Sequence, residues 1–141
     1  MIHLVEIPGV PNEFGDFWRI RALEINGTSL AIAQLADLAE KNPKDFKKIR
    51  TALRAAAKEE KCPHTKYVKP CRNAHYPGTF EAIAYALNAR LMFFYCEHTR
   101  AIVCTNLMWK AADNQDKAFR DCHDFKDIYD SHAPKNPKSH R

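Results

Sequence analysis

The segment 90-RLMFFYCEHTRAIVCTNLMWKAADNQDKAF-119 holds two apolar runs, Arg90–Glu97 and Ala101–Asn106, with only His98-Thr99-Arg100 between them. Both are short and rich in aromatic or β-branched residues, and the break is short enough for a hairpin. They predict two antiparallel strands. Arg90 opens the first strand, and Lys110 stands where the second gives way to a polar helix. Two cations at the margins of the most apolar hairpin in the chain ask for a reason.

Upstream, Pro77-Gly78 introduces a third strand, Phe80–Leu87, joined to the hairpin by Asn88-Ala89. Downstream, Phe119, Cys122, Phe125 and Tyr129 recur at helical spacing and predict a last helix from about Asn114 to Tyr129. The middle of the chain, 59–79, is irregular apart from a possible short strand at Lys66–Lys69.

Earlier still, Asn42-Pro43 reads as an N-cap followed by proline at the first helical position. The helix it starts carries Phe46, Ile49, Leu53 and Ala56 on one side. Lys44, Lys47, Lys48, Arg50, Arg54 and Lys58 lie on the others. Before it, Thr28 or Ser29 caps a shorter helix with Ile32, Leu35, Ala36 and Ala39 inward. Residues 1–8 and 17–26 predict two opening strands, the second ended by Asn26-Gly27. The fold class is α+β: N-terminal strands and a helical hairpin packed on a twisted antiparallel sheet, with a C-terminal helix. Residues 1–133 form one domain, and the basic, proline-containing 134–141 is expected to be a flexible tail.

With 141 residues, 45% hydrophobic and 28% charged, the composition is that of an ordinary globular domain. No apolar run approaches the roughly 20 residues that span a bilayer, and no basic n-region precedes an apolar core. A cytoplasmic protein with no membrane partner is expected. Five cysteines, an odd number without framework spacing, read as free thiols. The net charge of +5 favours a polyanion such as RNA, or an acidic protein, without choosing between them. Cys62, His64, Cys71 and His75 have the residue types of a zinc site. The tight Cys-x-His pairing, without a second CxxC or HxxxH, weighs toward an irregular loop, so neither metal nor cofactor is expected.

Over about residues 17–130 the chain resembles the RelE/HigB superfamily of type II toxins, most closely its phage-derived HigB-like group. The similarity rests on the order of its parts. FWRIRALEINGTSLAIAQLADL matches the family's strand, glycine-containing turn and short helix, and PKDFKKIRTALRAAAKEE its longer helix. Val68-Lys69-Pro70-Cys71 resembles a V-K-P-L stretch. Ala89-Arg90-Leu91-Met92-Phe93-Phe94-Tyr95 is similar to the arginine-led strand, and Asn106-Leu107-Met108-Trp109-Lys110 to the strand that ends in a basic turn. Tyr85-Ala86-Leu87-Asn88 lacks the glutamate and arginine of a Y-E-L-R-like signature, and Ala111 replaces a second basic residue.

The resemblance implies a RelE-like fold and a toxin that cleaves mRNA on the ribosome, held in check by a cognate antitoxin with a helix-turn-helix. Cleavage by a 2′-hydroxyl needs a group to activate it, cations for the phosphate and a proton for the leaving oxygen. Arg90 and Lys110 are the expected catalytic cations, with Tyr129 and His132 at the end of the last helix as further catalytic candidates. Lys69, Arg72, Lys117 and Arg120 are candidate RNA-backbone contacts. Trp109 is the aromatic expected to stack on a base, while Trp18 and either Phe93 with Tyr95 or their alternating partner Phe94 read as core. Two alternatives stay open: a ParE-like poison of DNA gyrase, and a nuclease-dead module that binds RNA or protein.

Overall fold

The computed structural model describes residues 1–12, 16–63, 65–84, 89–109 and 114–132. Its elements are β1 (Ile2–Val5), β2 (Arg19–Ile25), α1 (Leu30–Lys41), α2 (Pro43–Lys58), β3 (Val68–Pro70), β4 (Phe80–Ala84), β5 (Ala89–Cys96), β6 (Ala101–Met108) and α3 (Gln115–His132). The α+β class expected from the sequence holds. Lys110, His64, residues 85–88 and the tail at 134–141 lie outside the described residues.

One sheet of six strands runs in the order β1-β2-β6-β5-β4-β3. It is mixed, not antiparallel as expected, because β2 and β6 pair in parallel, with Ile20 opposite Ile102 and Ala22 opposite Cys104. The reason is connectivity. Parallel neighbours need a long crossover, and here α1, α2 and three strands intervene between β2 and β6. The opening strand β1 extends the sheet at the edge remote from β3.

Helices cover both faces, which explains why RLMFFYC has no polar alternation. Leu91, Phe93, Ile102 and Cys104 pack into one core with the inward residues of α1 and α2. Met92, Phe94, Ala101 and Val103 enter the other core with Phe119, Cys122 and Tyr129 of α3. Both neighbours in the run Phe93-Phe94 are thus buried, on opposite sides of the sheet. Trp18 also belongs to the core, and its indole N–H donates to Glu59 O at 2.9 Å.

Local sequence sets the helix ends. Ser29 Oγ accepts from the Ile32 N–H at 3.2 Å and starts α1. Asn42 serves two helices: its N–H donates to Leu38 O at 2.7 Å, and its Oδ1 accepts from the Asp45 N–H at 3.2 Å. Pro43 at the first turn of α2 loses no bond, since that position has no intrahelical acceptor. In α1 the inward residues are Ala31, Leu35 and Leu38, and Ala36 is exposed, contrary to the expected face. Leucines separated by three, not the smaller alanines, set which side of the helix turns in.

One irregularity fixes α3. Met92 pairs with Asn106 and Phe93 with Cys104, so Thr105 is an extra residue bulged out of β6. Thr105 Oγ1 donates to Asn106 Oδ1 at 2.6 Å, and Asn106 Nδ2 donates to Ala118 O at 3.1 Å. Asn106, beside the bulge, thereby ties β6 to a backbone carbonyl near the start of α3.

Replacing Asn42 by alanine removes the α2 cap at the tight α1–α2 junction. Asn42→Ala is expected to lower stability by about 1 kcal/mol, read as a lower urea midpoint with an unchanged slope.

Candidate functional site

Glu81 on β4 and Arg90 on β5 stand diagonally across one strand pair, since Glu81 faces Met92 and Ile83 faces Arg90. Their backbone neighbours Ala82 and Leu91 enter the α1–α2 core, so both charged side chains emerge on the α3 side. Arg90 Nη1 lies 3.0 Å from Glu81 Oε1, with the arginine side chain 18% exposed and the glutamate 4%. A carboxylate so buried must be satisfied by the protein. Gln115, the first residue of α3, completes the set: its Nε2 donates to Glu81 Oε1 at 3.1 Å and Oε2 at 3.0 Å.

Around this cluster lies an open groove of about 450 Å³. Lys69, Pro70, Cys71, Arg72 and Asn73 form one side, and Gln115, Asp116 and Phe119 the other. Asn73 Nδ2 donates to Asp116 Oδ1 at 2.8 Å and ties the two walls together. Arg90 is matched by Glu81 and Asp116 is engaged by Asn73, whereas Lys69 and Arg72 make no ion pair with any described residue. The groove therefore offers two uncompensated cations, a guanidinium held on a buried carboxylate, and apolar surface at Phe119 and Pro70. That combination suits a phosphate with an attached planar or apolar group.

The structure brings together three of the expected residues, Arg90, Lys69 and Arg72, and places Tyr129, His132 and Trp109 away from them. Arg90 does not occupy an edge strand, for β5 is flanked by β6 and β4. Its position is internal, and its partner is the buried Glu81. Tyr129 and His132 sit at the far end of α3, about 21 and about 26 Å from Gln115 by helical rise. Tyr129 packs its ring 5.7 Å from Phe94 and its hydroxyl 3.4 Å from Cys96 Sγ. Burial, then the contact with Cys96, pushes its phenol well above the usual range, so it keeps its proton. His132 Nδ1 lies 3.0 Å from Ile128 O, within its own helix.

Lys117 pairs with Asp121 at 2.7 Å and borders a separate cavity with Leu30 and Gln34. Arg120 is exposed on α3. Trp109 packs against the α1–α2 core, on the opposite side of the sheet from Arg90. Lys110, the second expected catalytic cation, lies outside the described residues.

The cysteines and histidines considered for zinc divide in the same way. Cys62 packs on the α1–α2 core and Cys71 on the α3 core, so the sheet stands between them. Burial raises the Cys62 thiol, and His64 is among the residues not described. Among the described residues, ligating atoms within 4.8 Å of one another occur at His123, Asp124 and Asp127 on the outer side of α3. There the 3.6 Å His123–Asp127 contact is an ordinary helical i,i+4 pair.

Sequence reasoning missed Glu81 and Gln115. The signal for Glu81 was present: one carboxylate in Phe80-Glu81-Ala82-Ile83-Ala84, a strand too apolar to be solvated on either face. Nothing local marks Gln115, which matters only because α3 starts over β4. Compared with models of known protein families, with curated proteins and with solved structures, the chain matches none.

Removing the guanidinium alone leaves Glu81 charged and buried. Arg90→Ala is expected to cost about 3 kcal/mol, and Glu81→Gln/Arg90→Ala distinctly less than the two single changes added together. Urea unfolding of the four proteins gives this coupling directly, and additive losses would rule it out.

The buried thiols generate a second expectation. Burial pushes Cys122 from an ordinary 9.0 up to about 12, and Cys104 is raised by burial too. The unfolded chain releases these protons first, so their contribution is complete below about pH 9 and lost as pH climbs toward the folded values. Cys122→Ala should flatten the fall in urea stability between about pH 9 and 11. An unchanged alkaline slope would exclude Cys122 as a cause.

Proposed function

We propose that this protein is the toxin component of a type II toxin–antitoxin system, a RelE-like mRNA endonuclease that works on the ribosome. The observation that carries the reading is the gathering of Lys69, Arg72 and Arg90 with Glu81 in one open groove. The order of parts supports the same reading. β2 leads to a helical hairpin, then the Val68-Lys69-Pro70 strand, then the arginine-led β5, then β6 and a last helix. Glu81 also provides the strand glutamate that residues 85–88 lack, five residues before Ala86 in the chain.

The chemistry follows from the donor set. Glu81 Oε1 accepts from both Arg90 and Gln115, while Oε2 accepts from Gln115 alone and retains capacity for a substrate hydroxyl. It takes the 2′-hydroxyl proton as the 2′-oxygen attacks the adjacent phosphorus. The bond from phosphorus to the 5′-oxygen breaks, leaving a 2′,3′-cyclic phosphate. Arg90 and Arg72 hold the phosphate oxygens, and the Lys69 ammonium supplies the proton to the departing 5′-oxygen. None of these steps uses a metal or organic cofactor. An antitoxin with an acidic segment would block the enzyme by filling the groove.

A second reading has an observation of its own. Neither Tyr129 nor His132 reaches the groove, which favours a module that binds RNA without cutting it.

Induction of the wild type, of Glu81→Gln and of Lys69→Ala/Arg72→Ala, followed by mapping of RNA 5′ ends, separates these readings. New ends within translated frames are expected for the wild type, reduced about 100-fold in Glu81→Gln. Growth arrest with intact mRNA would reject the nuclease and turn attention to DNA gyrase. RNA capture without cleavage would establish the binding module.

A further inference from the structure

The outward face of α2 differs from those of α1 and α3. α3 is laced with opposite charges, pairing Lys117 with Asp121, His123 with Asp127 and Lys126 with Asp130. α1 pairs Asp37 with Lys41. That is how a solvated helix normally arranges its charges. α2 instead carries Lys44, Lys47, Lys48, Arg50, Arg54 and Lys58, and its one carboxylate, Asp45, is fully buried. Six cations against one carboxylate leave an excess of five, equal to the +5 of the whole chain.

The arrangement is also directional. Lys44, Lys47, Lys48, Thr51, Ala55 and Lys58 are all exposed, and at 3.6 residues per turn they fall within a sector of about 100°. The side chains of the four lysines make no hydrogen bond or ion pair with any described residue. Small residues at 51 and 55 leave the stripe flat, and it runs about 21 Å from Lys44 to Lys58. Lys44 and Lys48 repel at i,i+4, so the pattern costs folding free energy.

We infer that this face of α2 is a docking surface for the phosphate backbone of double-stranded RNA. The residue types select that partner over an acidic protein. Protein interfaces exclude lysine from their centres and rely on aromatic and arginine anchors. Here the charged residues of the stripe are all lysine, its middle at Thr51 and Ala55 carries no aromatic or arginine anchor, and Arg50 is folded back on the protein, donating to Gly9 O at 3.3 Å with its guanidinium 5.9 Å from the Phe46 ring. Hydrated point charges on long stems suit a sequence-independent phosphate lattice. The surface lies on the opposite face of the sheet from the groove, because α2 packs in one core and Cys71 and Phe119 in the other. A strand in the groove and a duplex on α2 are therefore separate elements of RNA. The choice of RNA over DNA rests on the proposed function; the existence of the surface does not.

The test is binding, which does not depend on cleavage. A fluorescent RNA hairpin, a single-stranded RNA, a DNA hairpin of matching sequence and polyglutamate are titrated against wild type and a Lys44→Gln/Lys47→Gln/Lys48→Gln/Lys58→Gln variant over a range of salt. The variant is expected to lose at least tenfold in affinity for the RNA hairpin, with its log-log salt slope shallower by about 3. Its single-strand binding should stay intact, and its thermal midpoint should not fall, since like charges have been removed. Unchanged hairpin affinity and slope would overturn the inference. So would tighter wild-type binding to polyglutamate or to the DNA hairpin. Loss of cleavage in Glu81→Gln with hairpin binding retained would be a property of the groove alone, so the two proposals fail separately.

Discussion

A carboxylate buried beneath α3 organises this molecule. Glu81 is nearly buried where it lies, so it draws a guanidinium from the next strand and an amide from the first turn of the last helix. Those two demands fix three elements relative to one another: β4, β5 and the start of α3. The groove is what remains between them and the β3 edge. Its shape therefore depends on this polar cluster as well as on the α3 core, to which the groove-lining Phe119 belongs. Clusters of this kind hold geometry well only when every member is satisfied, and here each oxygen of Glu81 has a donor.

Much of this was legible in the chain. Asn42-Pro43, Ser29 and the apolar runs announce their elements because each signal is local: a side chain reaching its own backbone, or a spacing that matches a helix or strand. What the sequence concealed was non-local. The parallel β2–β6 pair joins residues at opposite ends of the domain, and no local pattern in Arg19–Ile25 distinguishes it from an antiparallel partner. The two-sided burial of Phe93 and Phe94 was ambiguous for the same reason, since it requires knowing that a helix covers each face.

The candidate site was legible by halves. Arg90, Lys69 and Arg72 were found as basic residues beside strand ends, and they do meet. Tyr129 and His132 were chosen for their chemistry near the end of a helix, but that helix runs away from the groove and carries them to the other end of the sheet. The missed partner, Glu81, is the reverse case: a residue whose neighbours are so apolar that its charge needed an explanation from outside the strand.

The parallel pairing of β2 with β6 also sets a clock. A ribosome completes β2 by Ile25, but its neighbour in the sheet ends at Met108. Until then Ile20 and Leu23 have no sheet beside them beyond the short β1. The groove waits longer still, because one wall begins at Lys69 and the other is not finished before Phe119. Long-range pairings of this kind form late. The nascent chain is thus unable to assemble its basic groove while most of it is still being made, and the interval between synthesis and competence is written into the strand order.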